Sequence, residues 1–245
     1  MNMSPDNARA TLPALMLRIS GRWAHFKKPE TNNNPLTHDF ITKTALLGLI
    51  GAVLGVERQQ MRALFPQWSE DFLYGVQVLG TVKKESWSFT MREVANQNNK
   101  APRPMELLKS PDFLVALASR NERSDEALQR FASFVEKSFA CYTPVLGLHN
   151  CAAELEFRGT GEFSPQSGAY TTKGFAPRSH NLDKERIDFN NFRLGLESIP
   201  THQNNDFWNN PQNYVEVCYT DEGREIALQN GEYFQFSNGT AWNLV

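Results

Sequence analysis

The chain has 245 residues, enough for one large domain or a domain with an appendage. Its 40% hydrophobic and 21% charged content is that of a folded globular protein. A formal net charge of −2 counts against a free-standing, non-specific nucleic-acid binder, so any nucleic-acid surface must be local.

Cys141, Cys151 and Cys218 lack C-x-x-C spacing, and the N-terminus has no apolar signal core; both features point to reduced thiols in a cytoplasm. The longest apolar run, 45–56, is shorter than the about 20 residues that cross a bilayer. Residues 1–12 read as a polar tail. Over 14–21, Leu15, Leu17 and Ile19 alternate with Met16, Arg18 and Ser20, which predicts a strand. It runs into W-A-H-F-K-K-P-E-T, where Trp23, His25, Phe26, Lys27 and Lys28 mix aromatic and basic side chains. An Asn-rich turn with Thr31 and Asn32 follows. Thr42 is the expected N-cap of the apolar helix beginning near Ala45. Lys43 and Thr44 then stand at that helix's positive end, where orphan N–H groups favour an anion. Stacking surfaces, cations and a helix N-terminus together suit a phosphate-bearing ligand with exposed bases; the plainer alternative is a solvated loop leading into a core helix. Gly48, Gly51 and Gly55 mark a thin side of the helix, and Gly55 suits its C-cap. Neither a phosphate-loop Gly-Lys-Ser/Thr nor the dinucleotide-binding glycine spacing is present.

Residues 72–82 are apolar on both faces and predict a central strand. Residues 83–104 alternate polar side chains with Trp87, Phe89 and Met91, then dissolve into Asn and Pro. This reads as a protruding hairpin or arm with Lys83, Lys84, Arg92, Lys100 and Arg103 along it. A third strand spans 112–118. Ser124 is the expected cap of a second helix with an inner stripe of Leu128, Phe131, Phe134 and Val135, and 151–157 supplies a fourth strand. The order is an α+β, ferredoxin-like βαββαβ unit over 14–157, the architecture RNA-recognition domains share, with the arm inserted at 83–104. The remainder, 158–245, reads as loops to residue 206. After it come short runs at 214–220, 224–228, 233–236 and 241–244, separated by D-E-G, Q-N-G and S-N-G: a small antiparallel meander.

The segment W-A-H-F-K-K-P-E-T with T-K-T-A-L-L-G-L-I-G-A-V-L-G resembles the N-terminal signature of the Cas-five family in the RAMP superfamily of CRISPR-associated proteins. F-L-Y-G-V-Q-V-L-G, P-R-P-M-E-L-L-K-S-P-D-F-L-V-A-L and Y-T-P-V-L-G-L-H-N-C extend the resemblance over 15–156, and the H-F-K-K-P-E-T variant is most similar to the type I-B branch. The resemblance implies a cytoplasmic, non-catalytic RNA-binding subunit, without metal or cofactor. Such a subunit caps one end of a type I Cascade surveillance complex in antiviral defence and holds the 5′ handle of the CRISPR RNA (crRNA). Implied partners are the crRNA, the backbone-forming Cas subunit and the large subunit that reads the protospacer-adjacent motif (PAM), with target DNA reached indirectly. The handle surface would comprise Trp23, His25, Phe26, Lys27, Lys28, Thr31, Asn32, Lys43 and Thr44. A thumb hairpin would touch RNA and the next subunit through Lys83, Lys84, Trp87, Phe89, Arg92 and Arg103.

Three rival readings remain open to test. A metal-independent endoribonuclease acting on repeat RNA would need a base such as His25 or His149, supported by Lys27, Lys43 or Tyr142. A zinc site would draw on Cys141, His149 and Cys151, although a structural site wants four ligands. A scaffold without RNA contact is the third.

Overall fold

A computed structural model of the chain describes residues 9–31, 34–92, 100–187, 193–200 and 214–245. The first half holds β1 (Leu12–Gly21), β2 (Trp23–Ala24), α1 (Lys43–Leu54), α2 (Arg58–Asp71), β3 (Phe72–Val78), β4 (Lys84–Arg92), β5 (Lys100–Lys109), β6 (Asp112–Ser119) and α3 (Asp125–Glu136). The second half is β-rich: β7 (Ala153–Ser167), β8 (Tyr170–Thr172), β9 (Ala176–Pro177), β10 (Leu194–Pro200), β11 (Tyr214–Thr220), β12 (Ile226–Leu228), β13 (Glu232–Phe236) and β14 (Ala241–Trp242). The fold is mixed α+β. Among the described residues no helix is long and apolar enough to cross a membrane.

An eight-stranded sheet runs β12-β8-β14-β13-β7-β1-β6-β3, with β1 antiparallel to both β6 and β7. The period-two pattern of β1 does what alternation requires. Leu15, Leu17 and Ile19 enter the main core with α1 and α3, while Ala14 and Met16 face a second cluster around Phe163, Phe236 and Trp242. Both faces are therefore covered, and each fully buried aliphatic side chain contributes about 1.5–3 kcal/mol. The outer edge of β3 is occupied by backbone. Tyr74 exchanges hydrogen bonds with Val245, and Phe175 N–H bonds to Val76 O.

α1 starts and stops as its sequence signals: Thr42 Oγ1 accepts from Ala45 N–H at 3.4 Å, and Gly55 closes it at φ 74°. α2 goes unforeseen in the sequence. Pro66 argues against a helix there, yet Met61 and Trp68 are buried at helical spacing, and Gln60 reaches back to Glu57 N–H at 3.3 Å. Ser124 does not cap α3 with its side chain; a 3₁₀ turn precedes the helix, and Ser124 Oγ donates to Asp71 Oδ2 at 2.6 Å. Several boundaries move as well. The first strand begins at Leu12, inside the expected tail, the second stops at Val78, and the fourth continues to Ser167 through what reads as loop. The C-terminal runs do not form a simple meander. β11 pairs with β10 and β9 and β12 with β8, so of the four expected runs only β13 and β14 pair with each other among the described residues.

Asp71 ties the foot of β3 to the start of α3. It is 2% exposed and takes Arg123 Nε at 2.7 Å and Nη2 at 2.8 Å besides Ser124. Asp71→Ala is expected to cost about 2–3 kcal/mol, measured as a lowered urea midpoint at unchanged m-value.

Candidate nucleic-acid interface

The loop between β2 and α1 folds back on itself. Lys28 N–H bonds to Leu36 O at 2.8 Å, His38 N–H to Phe26 O at 2.8 Å, and Phe26 N–H to Thr37 Oγ1 at 2.9 Å. Beneath it lies a cluster of buried charge. Glu197, 2% exposed at its side chain on β10, accepts Lys28 Nζ at 3.0 Å on each oxygen and hydrogen-bonds His38 Nδ1 at 3.1 Å. It also takes Asp39 N–H at 3.3 Å. Asp39 in turn pairs with Lys84 at 2.6 Å and accepts the Tyr219 hydroxyl. Lys84, at the root of β4, adds Glu106 at 3.3 Å and Thr37 O at 2.9 Å. Burial pushes the Glu197 carboxyl up, but the His38 hydrogen bond and the His38 and Lys28 charges outweigh it and hold the group below its ordinary range.

Above this cluster a cleft of about 420 Å³ opens between four pieces of chain. Its walls include His25 and Lys27 from the loop, Thr42 and Thr44 at the start of α1, Met105 from β5, and Gly147 and Leu148. The last wall depends on a close approach. His25 N–H bonds to Leu146 O at 3.0 Å, and Gly147 sits at φ 87° where a Cβ would fall on the carbonyl oxygen of His25. Gly147, Met105, Leu148, Pro35 and Pro200 are cleft residues that sequence reasoning missed; a glycine between two leucines in P-V-L-G-L-H-N was the available signal.

β4 and β5 form an antiparallel hairpin between β3 and β6, joined at its root to β2. Trp87, 41% exposed, packs edge-on against Trp23 at 4.7 Å, with Lys109 over the Trp23 ring at 5.9 Å. Phe89, 37% exposed, lies two residues further along the same face.

The sequence-derived set therefore separates into two groups. Lys27 and Thr44 line the cleft, with His25 and Phe26 as largely buried parts of its wall; Trp23, Lys83, Trp87, Phe89 and Arg103 stand at the hairpin, with Lys83 and Arg103 exposed. The other residues face inward. Phe26 is 2% exposed with its ring against Phe113, and His25 is buried with Nδ1 2.7 Å from Glu106 O. Burial lowers the His25 pKa against the opposing pull of Glu106. Lys28 and Lys84 are held by the carboxylates beneath the loop, and Thr31 spans its turn, donating to Lys28 O and accepting Leu36 N–H. Lys43 points away from the cleft into the protein. It is 4% exposed, no carboxylate among the described residues pairs with it, and desolvation, then Arg120, brings its pKa down to about 7. Asn32 and the Arg92 side chain lie outside the described residues.

The residues of the rival readings converge only in part: His25 and Lys27 share the cleft, while Lys43 is buried away from it. Tyr142 N–H bonds to Ala52 O at the C-terminal end of α1 and its hydroxyl to Glu57, whereas the cleft is at the helix's N-terminus. Cys141 adjoins Gly55 at that same far end, Cys151 is buried, and among the described residues no group of three His, Cys, Asp or Glu side chains is placed to hold a metal.

The family model described as CRISPR-associated protein (Cas_Cas5) matches residues 14–206. No curated protein matches the chain. Among solved structures, the chain is similar to a CRISPR protein from Archaeoglobus fulgidus: 10% identity, 94% of this chain and 98% of that one covered, TM-score 0.59. At that identity the likeness concerns the fold alone. A chain of a CRISPR RNA-guided surveillance complex matches at 11% identity, 94% of each chain and TM-score 0.46, too low to carry an argument.

Two variants test the electrostatics. Glu197→Gln should destabilise the protein by about 3 kcal/mol at neutral pH by leaving Lys28 and Asp39 N–H without their carboxylate. The folded-state pKa of Glu197 is depressed, so its contribution is present above about pH 4 and is lost as pH falls through the folded value. The gap between wild type and variant should narrow as urea titrations are taken down from neutral pH through the acid range. Lys43 behaves oppositely. Its ammonium is disfavoured by folding, so the wild type should gain up to a few kcal/mol between about pH 7 and 10, and Lys43→Met should abolish that gain.

Proposed function

Because the chain belongs to the Cas-five family of CRISPR-associated proteins, we propose that it is a non-catalytic RNA-binding subunit of a type I Cascade complex, of the I-B branch, and that it grips the 5′ handle of the crRNA in this cleft. The carrying observation is the cleft itself. It joins a helix N-terminus, the Lys27 loop, a glycine-dependent wall and the root of an aromatic hairpin. A short single strand with splayed bases suits such a site, since bases can insert or stack while N–H groups and cations take the phosphates.

In this reading the backbone of 25–28, Lys27 and Thr44 meet the handle. His25, Phe26, Lys28, Lys43 and Lys84 serve as the frame that holds them, a narrower contact set than the sequence suggested. The hairpin is the thumb, carrying RNA and the neighbouring backbone-forming subunit on Trp87, Phe89, Lys83 and Arg103, and the large PAM-reading subunit docks nearby. The neighbouring strands β7-β1-β6-β3, all antiparallel, with α1–α2 and α3 in the two crossovers, support a ferredoxin-like core.

The test uses the chain and a labelled RNA of the handle sequence recovered with its complex. Trp87→Ala and Phe89→Ala should each weaken binding by about 1–3 kcal/mol. Lys27→Glu should weaken it and flatten its salt dependence. Affinity unchanged in all three would defeat the reading, and a discrete cut in that RNA in the presence of EDTA would favour the endoribonuclease instead.

A further inference from the structure

The two edges of the β4–β5 hairpin are chemically unequal. In an antiparallel ladder, residues whose N–H and C=O point at the partner strand alternate with residues that point away. Two hydrogen bonds fix the parity here. Lys109 N–H bonds inward to Lys83 O at 2.9 Å, and Glu106 N–H bonds outward to Pro35 O at 3.0 Å. With Lys84 opposite Leu108 and Arg92 opposite Lys100, the even-numbered residues of both strands face away from the shared ladder.

From Pro102 to Leu108 the outward row of β5 offers no donor to a newcomer. Pro102 and Pro104 have no N–H, Glu106 is already bonded to Pro35, and Leu108 belongs to the ladder with β2. On β4 the outward row is Lys84, Ser86, Ser88 and Thr90. Ser86, Ser88 and Thr90 are exposed, without a backbone partner among the described residues, and no proline, glycine or bulge interrupts the strand. Sheet edges left in this state are templates for another strand.

We propose that the outer edge of β4 is a docking site for one extended strand of a neighbouring polypeptide, added by backbone pairing at Ser86, Ser88 and Thr90. A row that presents an N–H and a C=O at every second residue complements a peptide backbone, which answers each donor with an acceptor and each acceptor with a donor. A phosphodiester chain presents mainly acceptors and would leave the carbonyls unanswered. The added strand would also extend the half-exposed face of Trp87 and Phe89, so it should carry apolar side chains at alternate positions. Residues 83–109 hold six Lys or Arg against three Glu, a surplus of three positive charges, so the strand should be neutral or acidic. The inference rests on the reading of this hairpin as the arm that meets an adjacent subunit.

A photo-crosslinking residue placed at Ser86, Ser88 or Thr90 in turn, in the complex purified through a tag on this chain, tests the proposal. The three positions should crosslink to a single extended segment of one other polypeptide, stepping along it two residues at a time. Ser88→Pro deletes only an outward N–H. It should lower recovery of that polypeptide by at least about tenfold, while the chain keeps its guide RNA and its thermal midpoint. Crosslinks to RNA, to a second copy of this chain, or to nothing would overturn the proposal, as would unchanged recovery with a folded Ser88→Pro variant. Should that variant not fold, the crosslinks alone decide. Loss of guide RNA from the unmodified complex would instead count against the RNA reading.

Discussion

One carboxylate holds the candidate interface in shape. Glu197 comes from β10, far along the chain, yet it gathers Lys28, His38 and the Asp39 amide from the loop that walls the cleft. Asp39 and Lys84 then pass the constraint to the hairpin root, and Tyr219 ties it to β11. Charges buried this deeply are weak sources of net stability, because desolvation offsets most of their attraction. They are strict about geometry, however: removing any one strands its partners in low dielectric. The loop is thus held in one place by three separate parts of the fold.

This arrangement divides the cations by task. Lys28 and Lys84 are committed to carboxylates, and Lys43 is desolvated and inclined to shed its proton, so none of the three adds a fixed charge to the cleft. The cleft's own positive character comes from Lys27 and the positive end of the α1 dipole. A surface made this way is selective rather than sticky, consistent with a chain whose net charge is slightly negative.

Local features were legible in the sequence because local physics decides them. The alternation in β1, the Thr42 cap and the Gly55 stop each depend on residues a few positions apart, and the hairpin shows in its own alternating run. What sequence could not give is the direction in which the aromatic and basic side chains of 23–28 turn. Lys28 and Glu197 are 169 positions apart, and His25 meets Glu106 at a separation of 81, so a pattern that suits a ligand also suits a buried pairing. α2 was hidden by Pro66, and the extension of β7 to Ser167 by glycines and polar residues that look like loop until β1 and β13 supply partners. Gly147 was visible as a letter but not as a wall, because the carbonyl it must clear lies on another segment.

The prolines of β5 carry a consequence for growth. An appendage closed to pairing over 102–108 on one side and open along β4 on the other can accept a strand directly on one side only. Two imino acids, set at the same parity, thereby give the hairpin one side that invites a strand and one that turns it away.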